Sequence, residues 1–337
     1  MGASPAPVTL VPMSESRPPI APANTSPQAH SRRTVMRGGA AGAAMALAAP
    51  AAALRGRGAW TEEEWFKVSL AEWSLHRTLR KSKGDGGITN LEFPAFAKTA
   101  CGVDGIEYVN AFFKSPGKGG EMIARGHDFG YLRDLDGAVS DAGVESLLIM
   151  VDGEGQLADA DDGRRRDAVE NHFKWVAAAA FLGCHSIRVN AGGTGGRDEM
   201  AARAADSLRR IARVSDHYDI NVIVENHGGL SSDGAWLADV MKRADHARVG
   251  TLPDFGNFYE YDRYQGVEDL MPFAKAVSAK SYEFDESGNE TKIDYPRMLK
   301  IVKDAGYRGW IGIEYEGKNG DEVAGIQATR TLLERLR

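Results

Sequence analysis

The sequence predicts a (β/α)8 barrel, the TIM barrel, over residues 66–337. Eight short segments rich in Val, Ile and Leu recur along this part of the chain, and segments of helical character separate them. An open doubly wound sheet does not need eight strands, and it usually carries a glycine-rich dinucleotide motif after its first strand. The first segment here is followed by no such motif. The closed barrel is therefore the predicted fold.

The predicted strands and helices alternate along the chain. The helices include residues 164–181, 199–217 and 296–305, and several end at a glycine such as Gly143 or Gly306, which commonly terminates a helix. This alternation favours parallel strands joined by helical crossovers. The predicted strands are residues 68–74, 105–109, 146–151, 186–190, 221–225, 249–254, 276–280 and 310–314.

Strand parity predicts which side chains face the barrel interior. Successive side chains of a barrel strand alternate between the interior and the helix layer. If aliphatic residues such as Val222, Val224, Ile311 and Ile313 face the helices, polar residues late in several strands face inward. TIM barrels carry their chemistry at this carboxyl end of the strands. The inward set comprises Ser186, Arg188, Asn190, Glu225, His227, Ser278, Lys280 and Glu314.

Three acids in this region, Glu225, Asp254 and Glu314, follow apolar strand segments. Carboxylates that converge on one point repel each other unless a cation lies between them, and oxygen ligands suit a divalent cation. The alternative is that each acid caps the helix after its own strand. Further polar residues are candidates for binding substrate hydroxyl groups or for salt bridges with one another. They are His76, Glu107, Asp152, Arg188 and Asn190.

Three motifs in the predicted barrel resemble the sugar phosphate isomerase/epimerase family, whose members are xylose-isomerase-like TIM barrels. The motifs are Glu225-Asn226-His227-Gly228-Gly229, Leu252-Pro253-Asp254-Phe255-Gly256-Asn257 and Ile311-Gly312-Ile313-Glu314-Tyr315-Glu316-Gly317. The resemblance covers roughly residues 66–334. It implies that Glu225, Asp254 and Glu314 are metal ligands, that the two glutamates also move the proton, and that Asn226 and Asn257 lie at the substrate.

The sequence departs from the family at the seventh strand. The family has a histidine ligand where this chain has Ser278, whereas Lys280 matches a lysine that is common in the family. The ligand position falls on Ser278, whose hydroxyl is a poor replacement for an imidazole. Either water or His227 completes the ligand shell, or no metal binds tightly. Oxygen ligands favour Mn²⁺ or Mg²⁺ over Zn²⁺. Lys280 is predicted to stabilise an enolate oxygen or to pair structurally with a carboxylate.

The sequence therefore predicts a metal-dependent sugar isomerase or epimerase that works through a cis-enediolate. The first alternative is a lyase or dehydratase that forms the same enolate from a keto-sugar or keto-glycoside. A sugar-binding barrel without catalysis is the second alternative. The predicted partner is a small sugar, with homo-oligomerisation open. The formal charge of −6 gives no reason to expect nucleic acid as a partner.

Residues 1–53 resemble a leader with a twin-arginine export signal. Arg32-Arg33 precedes an Ala- and Gly-rich run that ends near Ala53, and this run is too short and too weakly apolar for a stable membrane anchor. Residues 54–65 are predicted to be a linker. Because the leader carries four arginines and one glutamate, its removal would leave a net charge near −9. Export to the periplasm or beyond is the predicted localisation.

Overall fold

The computed structural model describes residues 64–113, 128–318 and 320–337. Within them, eight parallel strands form one sheet in the order β6-β5-β4-β3-β2-β1-β8-β7. The predicted TIM barrel is confirmed. The strands are β1 (Phe66–Ala71), β2 (Gly105–Val109), β3 (Glu145–Met150), β4 (Ser186–Val189), β5 (Asn221–Glu225), β6 (Val249–Leu252), β7 (Val277–Ser281) and β8 (Gly309–Tyr315).

The barrel closes between β6 and β7 through isolated bridges rather than a continuous ladder. Thr251 bridges to Ala274, and Asp254 bridges to Ser278. The Ser278 amide donates to the Pro253 carbonyl at 2.9 Å, and the Phe255 amide donates to the Ser278 carbonyl at 3.0 Å. Pro253 itself has no amide hydrogen to donate. The closure therefore brings Asp254 against Ser278 at the carboxyl end of the barrel.

Helices follow the strands and cover the outside of the barrel. The predicted helices 164–181, 199–217 and 296–305 lie within two residues of the observed bounds of three of them. Gly143 and Gly306 terminate helices with positive φ angles of 66° and 74°. The α-helices in the described residues are α1 (His76–Arg80), α2 (Phe93–Phe96), α3 (Phe129–Ala142), α4 (Asp162–Phe181), α5 (Arg197–Ser215), α6 (Gly234–Ala244), α7 (Arg263–Leu270), α8 (Tyr295–Asp304) and α9 (Glu322–Arg335).

Two apolar clusters confirm the predicted strand parity. A small cluster inside the barrel includes Ile223, Leu148 and Leu252. The larger cluster lies between the strands and the helices and contains the predicted outward residues, among them Val222 and Val224. The inner apolar residues lie level with polar inward residues, because Ile223 is paired with Arg188 and Leu252 with Glu225 in the register of neighbouring strands.

The first predicted strand, residues 68–74, extends beyond the observed end of β1. β1 ends at Ala71, and a 3-10 helix spans Glu72–Leu75. The chain turns here because polar side chains bind backbone of other strands instead of continuing the ladder. Glu72 accepts from the Val109 amide at 2.8 Å, and the Ser74 hydroxyl accepts from the Tyr315 amide at 2.9 Å. The interpretation of Glu72 and Ser74 as strand residues was therefore wrong, although both side chains are buried.

The predicted leader (residues 1–53) lies outside the described residues, as does nearly all of the predicted linker. In the part of the chain that is described, every helix is too short or too polar to span a bilayer. Cys101 and Cys184 are free, buried thiols.

Candidate active site

Glu225, Asp254 and Glu314 meet at the carboxyl end of the barrel. Glu225 ends β5, Asp254 follows β6, and Glu314 lies in β8. One oxygen of each carboxylate lies within 4.8 Å of those of the other two, and all three side chains are buried. Three acids distant in the sequence therefore share one small volume, where an ion with oxygen ligands can bind all of them.

The turn after β6 fixes the orientation of Asp254. Its Oδ1 accepts from the amides of Gly256 and Asn257, both at 2.8 Å, and its Oδ2 accepts from the Ser278 hydroxyl at 2.7 Å. A Cβ atom at Gly256 would lie 2.5 Å from Lys280 Cγ, so the turn passes Lys280 closely enough to require glycine. Ser278 thus contacts the acidic cluster at the position where the family has its histidine.

Glu225 has one oxygen with a well-directed hydrogen bond and one without. Asn257 Nδ2 donates to Glu225 Oε1 at 3.0 Å. Arg188 Nε lies 2.8 Å from Glu225 Oε2, an ion pair in which neither atom has a well-directed hydrogen bond to any described residue. A buried carboxylate oxygen without a donor costs free energy. Oε2 is therefore available to a ligand.

Glu314 is paired with Lys280, which also reaches a second acid. Lys280 Nζ donates to Glu314 Oε1 at 2.6 Å and to Glu316 Oε2 at 3.1 Å. Only 2% of the Lys280 side chain is exposed. Burial opposes its charge, but the carboxylates of Glu314, Asp254 and Glu316 outweigh that effect and raise the pKa of Lys280 well above its usual range. Lys280 is thus a permanent cation in the site.

The connected site has more acids than bases. Among the described residues that it links, five carboxylates (Asp152, Glu225, Asp254, Glu314 and Glu316) face two cations (Arg188 and Lys280), an excess of three negative charges when all five are ionised. Burial, with the charge of Glu314, raises the pKa of Glu225 to about 7 and that of Asp254 to about 7. The uncompensated charge, the Glu225 oxygen that has an ion pair but no well-directed hydrogen bond, and the oxygen donors fit a divalent cation.

Arg188 links the acidic cluster to a chain of polar groups on its other side. Its Nη1 donates to Asp152 Oδ1 at 2.7 Å, and Asn190 Nδ2 donates to the same oxygen at 2.7 Å. His227 Nδ1 lies 3.2 Å from Asn190 Oδ1. Within the described residues, His227 is not among the groups whose ligand atoms cluster, so this arrangement does not bring it to the acids.

Three further predicted substrate contacts are engaged with the protein itself. Asn226 donates to the Asp254 carbonyl at 3.0 Å and accepts from the Asp254 amide at 2.8 Å. His76 begins α1 and stacks on Trp73, with ring centroids 4.8 Å apart. Glu107 lies inside the barrel and accepts from the Ser69 hydroxyl at 2.6 Å. Their predicted roles at the substrate remain predictions.

Glu316 and Trp73 also belong to the site, although the sequence predicted a role for neither. Trp73 Nε1 donates to Glu316 Oε1 at 2.6 Å, which connects both residues to Lys280. The available signal was parity, because Glu316 lies two residues after Glu314 and continues its inward face. Trp73 had no such signal, since it lies in the 3-10 helix that was predicted to be strand.

The family described as xylose isomerase-like TIM barrel matches residues 94–337. A 3-keto-D-glucoside 4-epimerase from E. coli has a similar structure, with a TM-score of 0.62 and 15% identity; the match covers 80% of this chain and 99% of that one. At this identity, the likeness shows the fold alone.

Two curated relatives match short segments. A C-glycoside deglycosidase alpha subunit from Arthrobacter globiformis is 45% identical over 49 residues, which are 14% of either chain. A 3'-dehydrocarminate deglycosidase alpha subunit from Microbacterium is 33% identical over 70 residues, which are 21% of this chain and 20% of the relative. The matches thus span less than a quarter of the length of these relatives.

Proposed function

The chain belongs to the xylose isomerase-like TIM barrel family, and from that premise we propose that it is a sugar isomerase or epimerase that removes a proton from a carbon beside a carbonyl group. The removed proton returns to the neighbouring carbon in an isomerase, or to the opposite face of the same carbon in an epimerase. Both outcomes pass through an enediolate or enolate. The substrate in this proposal is a small keto- or aldo-sugar.

Glu225 and Glu314 are the proposed proton carriers. They lie at the ends of separate strands around one volume, so a substrate between them meets a carboxylate on either side. Without a bound cation, burial raises the pKa of Glu225 to about 7, close to the range in which a carboxylate both accepts and returns a proton at neutral pH. Lys280 donates to the developing oxyanion, because its ammonium is buried and remains charged.

Glu225, Asp254 and Glu314 would hold a divalent cation, with Ser278 beside them. Such an ion supplies positive charge that stabilises the oxyanion. Oxygen donors make Mn²⁺ or Mg²⁺ the proposed ion rather than Zn²⁺. The single observation that carries the proposal is the buried cluster of three carboxylates, of which one oxygen lacks a directed donor.

Deuterium exchange tests the proposal. The purified protein with Mn²⁺ is incubated in D₂O with free ketohexoses and with 3-keto-glucosides, and exchange of carbon-bound hydrogen is followed by NMR. We expect Glu225→Gln and Glu314→Gln to lower the exchange rate by about 10²-fold or more, because each removes a proton carrier. Glu154→Gln, a buried acid outside the cluster, serves as the control. Full turnover by Glu314→Gln would exclude the two-glutamate mechanism.

The second candidate is a lyase that acts on a keto-glycoside. The two short matches to deglycosidase alpha subunits favour it. The same proton abstraction would form the enolate, whose electron pair would then expel the substituent at the β-carbon and leave a double bond. Product mass separates the candidates, since an isomerase or epimerase keeps the substrate mass whereas the lyase releases the substituent.

The proposed localisation follows from the leader. A chain exported by the twin-arginine route would meet unphosphorylated sugars, because sugar phosphates are retained in the cytoplasm. We therefore propose a neutral sugar or glycoside as substrate. Fractionation of cells that express the full chain tests the export step, and replacement of Arg32-Arg33 by Lys-Lys should retain the protein inside the cell.

A further inference from the structure

Lys280 lies between two carboxylates, and the second of them belongs to a separate hydrogen-bonded chain. Glu316 accepts from Lys280 Nζ with Oε2 at 3.1 Å and from Trp73 Nε1 with Oε1 at 2.6 Å. Each oxygen of Glu316 thus has its own donor. The Glu316 carboxylate is therefore held in one plane between the lysine and the indole.

The Trp73 indole is itself in contact with two further side chains. The His76 ring stacks on it at 4.8 Å between centroids with an interplanar angle of 17°, and the Arg80 guanidinium carbon lies 5.0 Å from its centroid. His76 is tied to this turn because its Nδ1 lies 2.7 Å from the Trp73 carbonyl. The indole N–H consequently points in one direction, towards Glu316.

We propose that Glu316 is a positioning residue that, held by Trp73, aims the Lys280 ammonium at the reacting oxygen of the substrate. Two fixed acceptors on a tetrahedral ammonium determine the direction of the third N–H. With Glu314 as its only acceptor, the end of the Lys280 side chain could pivot about a single hydrogen bond and carry the other N–H groups with it. The inference rests on the proposed function, since it assumes that Lys280 acts on the oxyanion.

In this arrangement Glu316 orients the Lys280 ammonium rather than neutralising its charge. Lys280 already has a closer anionic partner in Glu314, at 2.6 Å. Glu316 side-chain atoms are 31% exposed, so its charge is partly screened by solvent. A misplacement of about 1 Å at a catalytic group can cost 10²-fold in rate, whereas substrate binding through other groups is unaffected.

Two variants remove different hydrogen bonds of the Trp73–Glu316–Lys280 network. Glu316→Gln cannot accept from both Lys280 and Trp73, because its amide presents donors to one of them. Trp73→Phe keeps an aromatic ring but removes the indole N–H. We expect each to lower kcat by about 10- to 100-fold with little change in KM. The double variant should be no slower than Glu316→Gln, because both changes act through one path.

A second glutamate of this protein accepts from a tryptophan and a lysine in the same way, and it serves as a matched control. Glu154 accepts from Trp175 Nε1 at 2.6 Å and from Lys174 Nζ at 2.8 Å, away from the acidic cluster. Glu154→Gln and Trp175→Phe should lower the melting temperature without lowering kcat. This comparison separates a positioning role from general destabilisation.

A measurement without substrate separates a failure of the inference from a failure of the proposed function. The ¹⁵Nζ signal of Lys280, assigned by its loss in Lys280→Met, should shift or broaden in Glu316→Gln and Trp73→Phe but not in Glu154→Gln. An unchanged Lys280 signal, or wild-type kcat in both variants, would overturn the inference. If the wild-type protein exchanges hydrogen with no ketone, the proposed function fails, while the signal still reports whether Glu316 orients Lys280.

Discussion

Glu107 shows how a single side chain responds to the barrel interior. It is 1% exposed and lies beside Gly312, where an added Cβ would come 2.3 Å from its Oε1. Ser69 donates to Oε1, but Oε2 has no partner among the described residues. Burial, with the charges of Glu314 and Glu225, raises the pKa of Glu107 to about 8. The residue is therefore a neutral acid at pH 7.

This raised pKa predicts a pH-dependent stability difference for Glu107→Gln. Between pH 4.5 and 8 the folded state holds a proton that the unfolded state has lost, so this group destabilises the fold increasingly as pH rises. Glutamine does not ionise. We expect the variant to gain stability relative to the wild type, by a few kcal/mol at most, when pH rises from 5 to 8. Urea unfolding at both pH values measures this difference.

Glu72→Gln is the control for the Glu107→Gln experiment. Burial raises the pKa of Glu72 to about 8 as well, but Glu72 accepts from Asn90 Nδ2 and the Val109 amide, both at 2.8 Å. Glutamine would turn a donor towards one of these donors, so Glu72→Gln should be less stable than the wild type even at pH 5. A Glu107→Gln variant whose stability relative to the wild type did not change with pH would show that Glu107 is ionised in the fold.

At the scale of elements, side chains that follow one strand form hydrogen bonds with the backbone at the end of its neighbour. Asn226, directly after β5, makes a reciprocal pair of hydrogen bonds with the backbone of Asp254, directly after β6. The regular pairing of these strands ends at Glu225 and Leu252. The Asn226 side chain thus extends the contact between β5 and β6 by one step and sets the height of Asp254 relative to Glu225.

We predict that Asn226→Asp weakens both the fold and the metal site. Aspartate can still accept from the Asp254 amide, but it places an oxygen against the Asp254 carbonyl where the amide donated. The expected cost is about 1–3 kcal/mol of unfolding free energy, together with weaker Mn²⁺ binding. Chemical unfolding and calorimetric titration measure the two effects.

Asn289→Asp, a change of the same type on an exposed loop, is the control for that variant. It should alter neither the unfolding free energy by a comparable amount nor the affinity for Mn²⁺. Equal Mn²⁺ affinity in Asn226→Asp and the wild type would mean that Asp254 is positioned without the Asn226 contact.

At the scale of the whole molecule, barrel closure concentrates negative charge at one end. Removing solvent from Glu225 and Asp254 raises both pKa values to about 7, so each carboxylate is partly protonated near neutral pH in the absence of a cation. A divalent ion binds the deprotonated carboxylates, so metal binding releases protons. Protonation of Glu225 and Asp254 is thereby coupled to binding of the proposed metal ion.

This coupling predicts that Mn²⁺ affinity falls as pH is lowered through 7. Protons compete with the ion below the raised pKa values of about 7 for Glu225 and Asp254, so we expect a loss of about tenfold or more between pH 8 and pH 6. Calorimetry in two buffers of different ionisation enthalpy would count the released protons. Affinity that is constant over this range would contradict the raised pKa values or the assignment of these ligands.

The sequence by itself determined the order of the strands, the parity of their side chains and the end of the barrel at which the acids gather. These follow from local periodicity, because alternation along a strand is a property of the strand. It also predicted Glu225, Asp254 and Glu314 as a group. It did not predict where β1 ends, since Glu72 and Ser74 form bonds to residues on other strands.

Only the tertiary structure decided which donor serves each acid. Arg188 pairs with Glu225, Ser278 with Asp254, and Lys280 with both Glu314 and Glu316. Each of these contacts crosses between strands, so its geometry depends on barrel closure and on a register that no single segment encodes. The same closure excludes water from the acids, and that exclusion sets their protonation and the uncompensated charge at the site.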